Sequence, residues 1–105
     1  MVGRSAVIRR QLTLAINAAL GDETRYAAKL QAGGDFGAAK LAWAAIAEIR
    51  LALGSCASHD DDVYALHLGE SLMDKRRDYL DLWDDPDGIG TSSFSRILDL
   101  VDSVT

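Results

Sequence analysis

Apolar residues recur three and four apart along nearly the whole chain, and no alternating run of Val, Ile and Thr suggests a strand. That periodicity restricts the fold to an all-α one. One segment sharpens the restriction. From Asp35 to Leu53, Phe36, Ala39, Trp43, Ile46 and Leu53 form one stripe, while Leu41, Ala45, Ile49 and Ala52 spread onto other faces. A helix apolar nearly all round must be surrounded by other helices or by a second copy of the chain. The segment is therefore expected at the centre of a small bundle of four to five helices. Its extra apolar faces are the reason to expect a homodimer or higher oligomer.

Punctuation residues divide the rest. Ser5 caps a first helix whose face carries Ile8, Leu12, Ala15, Ile16 and Leu20. Gly21 either closes that helix, with Asp22 and Glu23 opening a second, or sits inside one bent rod at a cost of about 1 kcal/mol. Gly33-Gly34 ends this region, and Gly54 to Ser58 reads as a loop. Ser58 or Asp60 then begins a long helix with a stripe of Val63, Leu66, Met73, Leu80 and Trp83, flanked by Leu72 and Tyr79. Asp84-Asp85-Pro86-Asp87-Gly88 stops it, because proline cannot continue a helix and Asp-Gly favours a turn. Ser92 or Ser93 is expected to cap a last helix that buries Phe94, Ile97, Leu98 and Val101.

The chain has 105 residues, 49% apolar and 26% charged, which suits one globular helical domain over residues 1–105. A lone cysteine, Cys56, excludes an internal disulfide framework and a cysteine-rich zinc module, and points to a reducing, cytoplasmic setting. No segment reaches the roughly 18–20 apolar residues that cross a bilayer. Arg9-Arg10 precedes an apolar stretch as an export signal would, but Asn17 interrupts it and an amphipathic helix explains the same residues. No membrane role is expected.

Net charge is −5, unevenly placed. Residues 1–59 hold seven Lys/Arg against four Asp/Glu, and residues 60–105 hold four against twelve. Direct nucleic-acid binding is not expected, since it relies on neutralising phosphates.

Catalytic constellations are missing. His59-Asp60-Asp61-Asp62 contains metal-binding residue types, but consecutive aspartates at a helix start point apart and suit the helix dipole. His67, Glu70 and Asp74 share a helical face, yet the second half of a bundle di-metal set is lacking. Cys56 precedes an acidic cluster that raises a thiol's pKa, the opposite of what a nucleophile needs. Ser55, His59 and Asp60 are too close in sequence to form a triad unaided, and no GxSxG, phosphate-binding loop or dinucleotide fingerprint occurs. No catalytic, cofactor or metal residue is assigned, and no enzyme is expected.

Tyr26, Ala27 and Leu30, then Gly34-Asp35-Phe36, then Ala39, Trp43 and Ala47 are spaced as in one helical hairpin of the tetratricopeptide (TPR) family. Tyr26–Ala47 resembles that unit. The resemblance implies two antiparallel helices brought close by small residues. Glu23, Ile46 and Leu51 depart from the family pattern and no second unit is visible, so it implies one TPR-like hairpin inside a bundle. Positions matching the family's peptide groove are Thr24, Ala28, Gln31 and Ala32, which offer no cationic clamp.

These observations predict a non-enzymatic helical interaction module that associates with itself or with a protein partner. An alternative is an acidic inhibitor or decoy that engages a basic, nucleic-acid-binding protein; ranked below both is a small helical-bundle metal protein or enzyme, which rests only on His59, His67 and their neighbouring acids. Partner binding is expected at Trp83 with Asp78, Asp81, Asp84 and Asp85, because acids near a helix C-terminus oppose the helix dipole and need another reason to be there.

Overall fold

Gly21 does not end the first helix. In the computed structural model, which describes residues 3–105, α1 runs unbroken from Arg4 to Ala32. The Asp22 carboxylate accepts hydrogen bonds from Arg25 one turn on and from Arg96 at 2.8 Å, and Arg96 also lies 3.6 Å from Glu23. These contacts tie α4 to the turn just after the glycine, while Leu20 and Ala27 are buried on either side of it. Gly33 and Gly34 then close α1, with Gly34 in the left-handed region at φ 85° that only glycine adopts cheaply. The Asp35 side chain accepts from the Ala38 N–H at 3.2 Å and starts α2 (Phe36–Cys56).

Helix α2 packs against all three other helices, α1, α3 (Asp61–Leu82) and α4 (Ile89–Asp102). Ala38, Ala39, Ala42, Ala45 and Ala52 are buried along it and let the neighbouring backbones approach, while Ile46 and Ile49 fill the centre. The described residues contain no strand. The chain's own helices cover most of the apolar surface of α2, while Phe36 at its start stays 67% exposed. Of its leucines only Leu51 is exposed.

Three boundaries and one helix face differ from the sequence reading. Ser5 lies inside α1, whose cap is Gly3. Residues 54–56 extend α2 instead of forming a loop. The inward face of α3 is Tyr64, Leu68, Leu72 and Tyr79, not the stripe of Leu66, Met73 and Leu80, which are exposed by 60%, 49% and 41%. Both sets have helical spacing, and only one can face α2. Helix α4 begins at Ile89, a turn before the expected serine cap, so that Ser93 is buried inside it. Phe94, Ile97 and Val101 complete the core with Leu12, Ile16 and Leu20 of α1.

Candidate functional site

The α3–α4 junction is where the sequence reading placed part of a binding surface. Its chemistry is structural. Pro86, Asp87 and Gly88, the last left-handed at φ 70°, fold the chain back so that the Asp85 carboxylate meets the start of α4. That carboxylate accepts from the N–H groups of Ile89 at 2.8 Å, Gly90 at 3.0 Å and Thr91 at 3.0 Å. It also accepts from the hydroxyls of Tyr79 at 3.0 Å and Thr91 at 3.2 Å. Asp85 thus satisfies the free donors of the helix start and faces the positive end of its dipole. Burial works to raise its pKa, but the hydrogen bonds from Thr91, Ile89 and Tyr79 outweigh this and hold it below 3.8. Burial, then the bond to Asp85, pushes the Tyr79 phenol well above its usual 10.0. The Tyr79 ring packs on Phe94 with centroids 5.7 Å apart. Asp85 is therefore not a free partner-binding acid.

The other expected residues lie outside this lock. Asp81 and Asp84 are exposed, and exposed Asp78 lies 3.9 Å from Lys75. Trp83 is half-buried against the core, with Lys40 Nζ 5.2 Å from its ring centroid. The N-terminal arginines do not reach this acidic end. Arg9 instead ties α1 to the α2–α3 linker, donating to the Ala57 carbonyl at 2.7 Å and to Asp61 at 3.0 Å while its guanidinium covers the Tyr64 ring.

Further along the same two helices a groove opens. Its floor is Ala65, Leu66, Gly69 and Met73 of α3 with Leu98 and Val101 of α4, and it encloses about 450 Å³. Glu70, Asp74 and Asp102 border it, and no lysine or arginine lines it. Asp74 pairs with Arg77 at 3.3 Å beyond the lining, and Glu70 lies 3.7 Å from His67 Nδ1. Leu66 and Met73 lie exposed in this floor, and exposed Leu80 stands two turns beyond Met73, past Arg76 and Arg77 and outside the groove. Gly69 deepens it: a mid-helix glycine costs stability, and a Cβ there would meet Val101 only at an ordinary 3.6 Å. The sequence carried two signals of this groove, the second apolar stripe on α3 and the glycine beside it.

A smaller apolar patch lies at the start of α2, where exposed Phe36 neighbours Ala39, Lys40 and Trp43. The Trp43 indole donates to Gln31 at 3.2 Å across the α1–α2 hairpin.

The candidate chemical groups do not converge. His59 and His67 stack face to face with centroids 4.4 Å apart, so their rings lie side by side. Among the described residues no three His, Cys, Asp or Glu side chains are grouped to hold a metal, and Cys56 is buried. No helix of the described residues is long and apolar enough to cross a membrane. Compared with known proteins, the chain matches no family model, no curated protein sequence and no solved structure at a significant level.

Proposed function

We propose that this chain is a non-enzymatic helical interaction module of the cytoplasm, which docks a partner protein on the apolar surface its own helices leave uncovered. The observation that carries this reading is the α3–α4 groove, whose apolar floor includes exposed Leu66 and Met73. Contiguous exposed apolar surface on a small domain marks an interaction site, and burying it removes roughly 25 cal/mol per Å² of unfavourable contact with water. The TPR-like hairpin over Tyr26–Ala47 is read as scaffold in this scheme, with Ala27 and Ala39 buried where its two helices meet.

The test is site-specific. A photo-crosslinking residue at Met73 of the full chain should label a partner that one at exposed Leu14 of α1 does not. That partner, once purified, should bind wild type and lose binding to the Leu66→Asp/Met73→Asp variant. Equal labelling from both positions, or unchanged binding by the variant, would overturn the reading. Sedimentation equilibrium on the same samples reports self-association.

A second reading is an acidic decoy for a basic protein. It draws on exposed Asp78, Asp81 and Asp84 beside Trp83 at the end of α3. Binding there should survive the Leu66/Met73 variant and weaken steeply with added salt.

A further inference from the structure

Building on the interaction-module reading, we infer that the α3–α4 groove takes a basic amphipathic α-helix from a partner protein. Three features of the groove define that occupant. Its shape is that of a helix seat. Its α3 wall runs from Ala65 to Asp74, about 14 Å, the span of about two and a half helical turns. Helices dock in such grooves with side chains spaced three, four and seven residues apart. Gly69 leaves a shallow notch in the floor between Leu66 and Met73, where an incoming helix can approach the α3 backbone closely.

Charge selects the class of helix. The apolar floor is bordered by Glu70, Asp74 and Asp102, and no lysine or arginine lines it, although Arg77 pairs with Asp74 from outside the lining. A helix with Lys or Arg flanking its apolar stripe places positive charge against these acids, whereas an acidic or symmetric occupant does not. A second copy seated groove to groove across a two-fold axis would set the same three acids against their counterparts. Nor does an anionic membrane suit this face, since its surface repels the rim.

The test uses the full chain and two synthetic helical peptides, identical in a Leu-based apolar stripe and differing only in flanking Lys or flanking Glu. The Lys peptide should bind, measured by fluorescence anisotropy, and the Glu peptide should bind at least about tenfold more weakly. Neutralising the rim with Glu70→Gln, Asp74→Asn and Asp102→Asn should weaken the Lys peptide by about tenfold. Neutralising three acids elsewhere, Glu48→Gln, Asp60→Asn and Asp87→Asn, changes net charge equally and should alter binding by less than about twofold. Gly69→Leu fills the notch, and Met73→Asp places a charge in the floor; each should abolish binding. Circular dichroism verifies that both variants remain folded, and Met73, being exposed, tolerates the change. Equal binding of both peptides, equal loss from the two neutralised triples, or binding that survives Met73→Asp would overturn the assignment. So would a concentration-dependent dimer that Met73→Asp dissolves, because the groove would then hold a second copy. If a partner labelled from Met73 binds while the Lys peptide does not, the basic-helix assignment fails and the interaction module stands. If neither binds, both fail.

Discussion

Helices α3 and α4 meet twice, and the two meetings are built on opposite principles. At the junction, Asp85, Tyr79, Gly90 and Thr91 form a closed polar knot in which every donor aimed at the carboxylate is used. Toward the far end of the pair, Gly69 and Met73 face Leu98 and Val101 across an apolar surface left open to water. The closed end fixes the angle at which α4 leaves the turn, so it is where the helix pair is stabilised. The open end forgoes stability twice, through a mid-helix glycine and through uncovered leucine and methionine. Stability and candidate function are thereby separated along one pair of helices.

Substitutions at the two ends should differ in sign as well as size. The largest effect is expected at Gly90, where an added Cβ collides with the Tyr79 phenol. Gly90→Ala should lose about 3 kcal/mol in urea unfolding, even though alanine is the better helix former, because the ring and the Asp85 bonds must shift together. A Gly90→Ala variant as stable as wild type would show that the knot is looser than described.

Asp85→Ala should lose about 2 kcal/mol, since it removes a helix cap and leaves several donors unpaired. The pH dependence follows from the depressed Asp85 pKa. The contribution is present above 3.8, the unfolded value, and is lost as pH falls through the lower folded value. Tyr79 acts at the other extreme: its raised pKa means that stability declines as pH climbs above 10.0. Melting curves across pH should show an acid limb that is shallower in Asp85→Ala. Identical limbs in the two proteins would remove Asp85 from the explanation.

At the open end, Gly69→Ala should stabilise by about 0.5–1 kcal/mol, because the helix gains propensity and the new methyl makes an ordinary contact with Val101. A loss instead would mean that the groove is tighter than 3.6 Å allows. Smallest of all is Asp81→Asn with Asp84→Asn, expected to raise the melting temperature slightly, by about 0.5 kcal/mol or less, as acids near a helix C-terminus are relieved. Adding Asp85→Asn to that pair should reverse the sign, since Asp85 alone among the three caps a helix.

That reversal shows where the residue types were informative and where they were not. Six aspartates between Asp74 and Asp87 look alike as letters, and the dipole argument treats them as one acidic end. Asp85 differs because Pro86 and Gly88 turn the chain so that its carboxylate points at α4, a relation between a turn and the helix after it. On α3 the apolar residues exceed what one core face needs. Periodicity alone finds both the 64/68/72/79 set and the 66/73/80 set without ranking them. The long first helix was legible only as one of two options, because the burial of Leu20 and Ala27 on either side of Gly21 depends on the other helices.

The helical class, the central place of α2, the stop at Asp84–Gly88 and the lack of catalytic groupings in the sequence all follow from local properties: spacing, proline and glycine geometry, and residue inventory. These act within a few residues, and no partner element is needed to evaluate them. Which apolar face of α3 is buried, which aspartate is a cap, and how much of the apolar surface of α2 the other helices cover were decided by tertiary structure. Each depends on where another helix lies: α4 has only fourteen residues, and packed into the core it leaves one side of α3 without a neighbour.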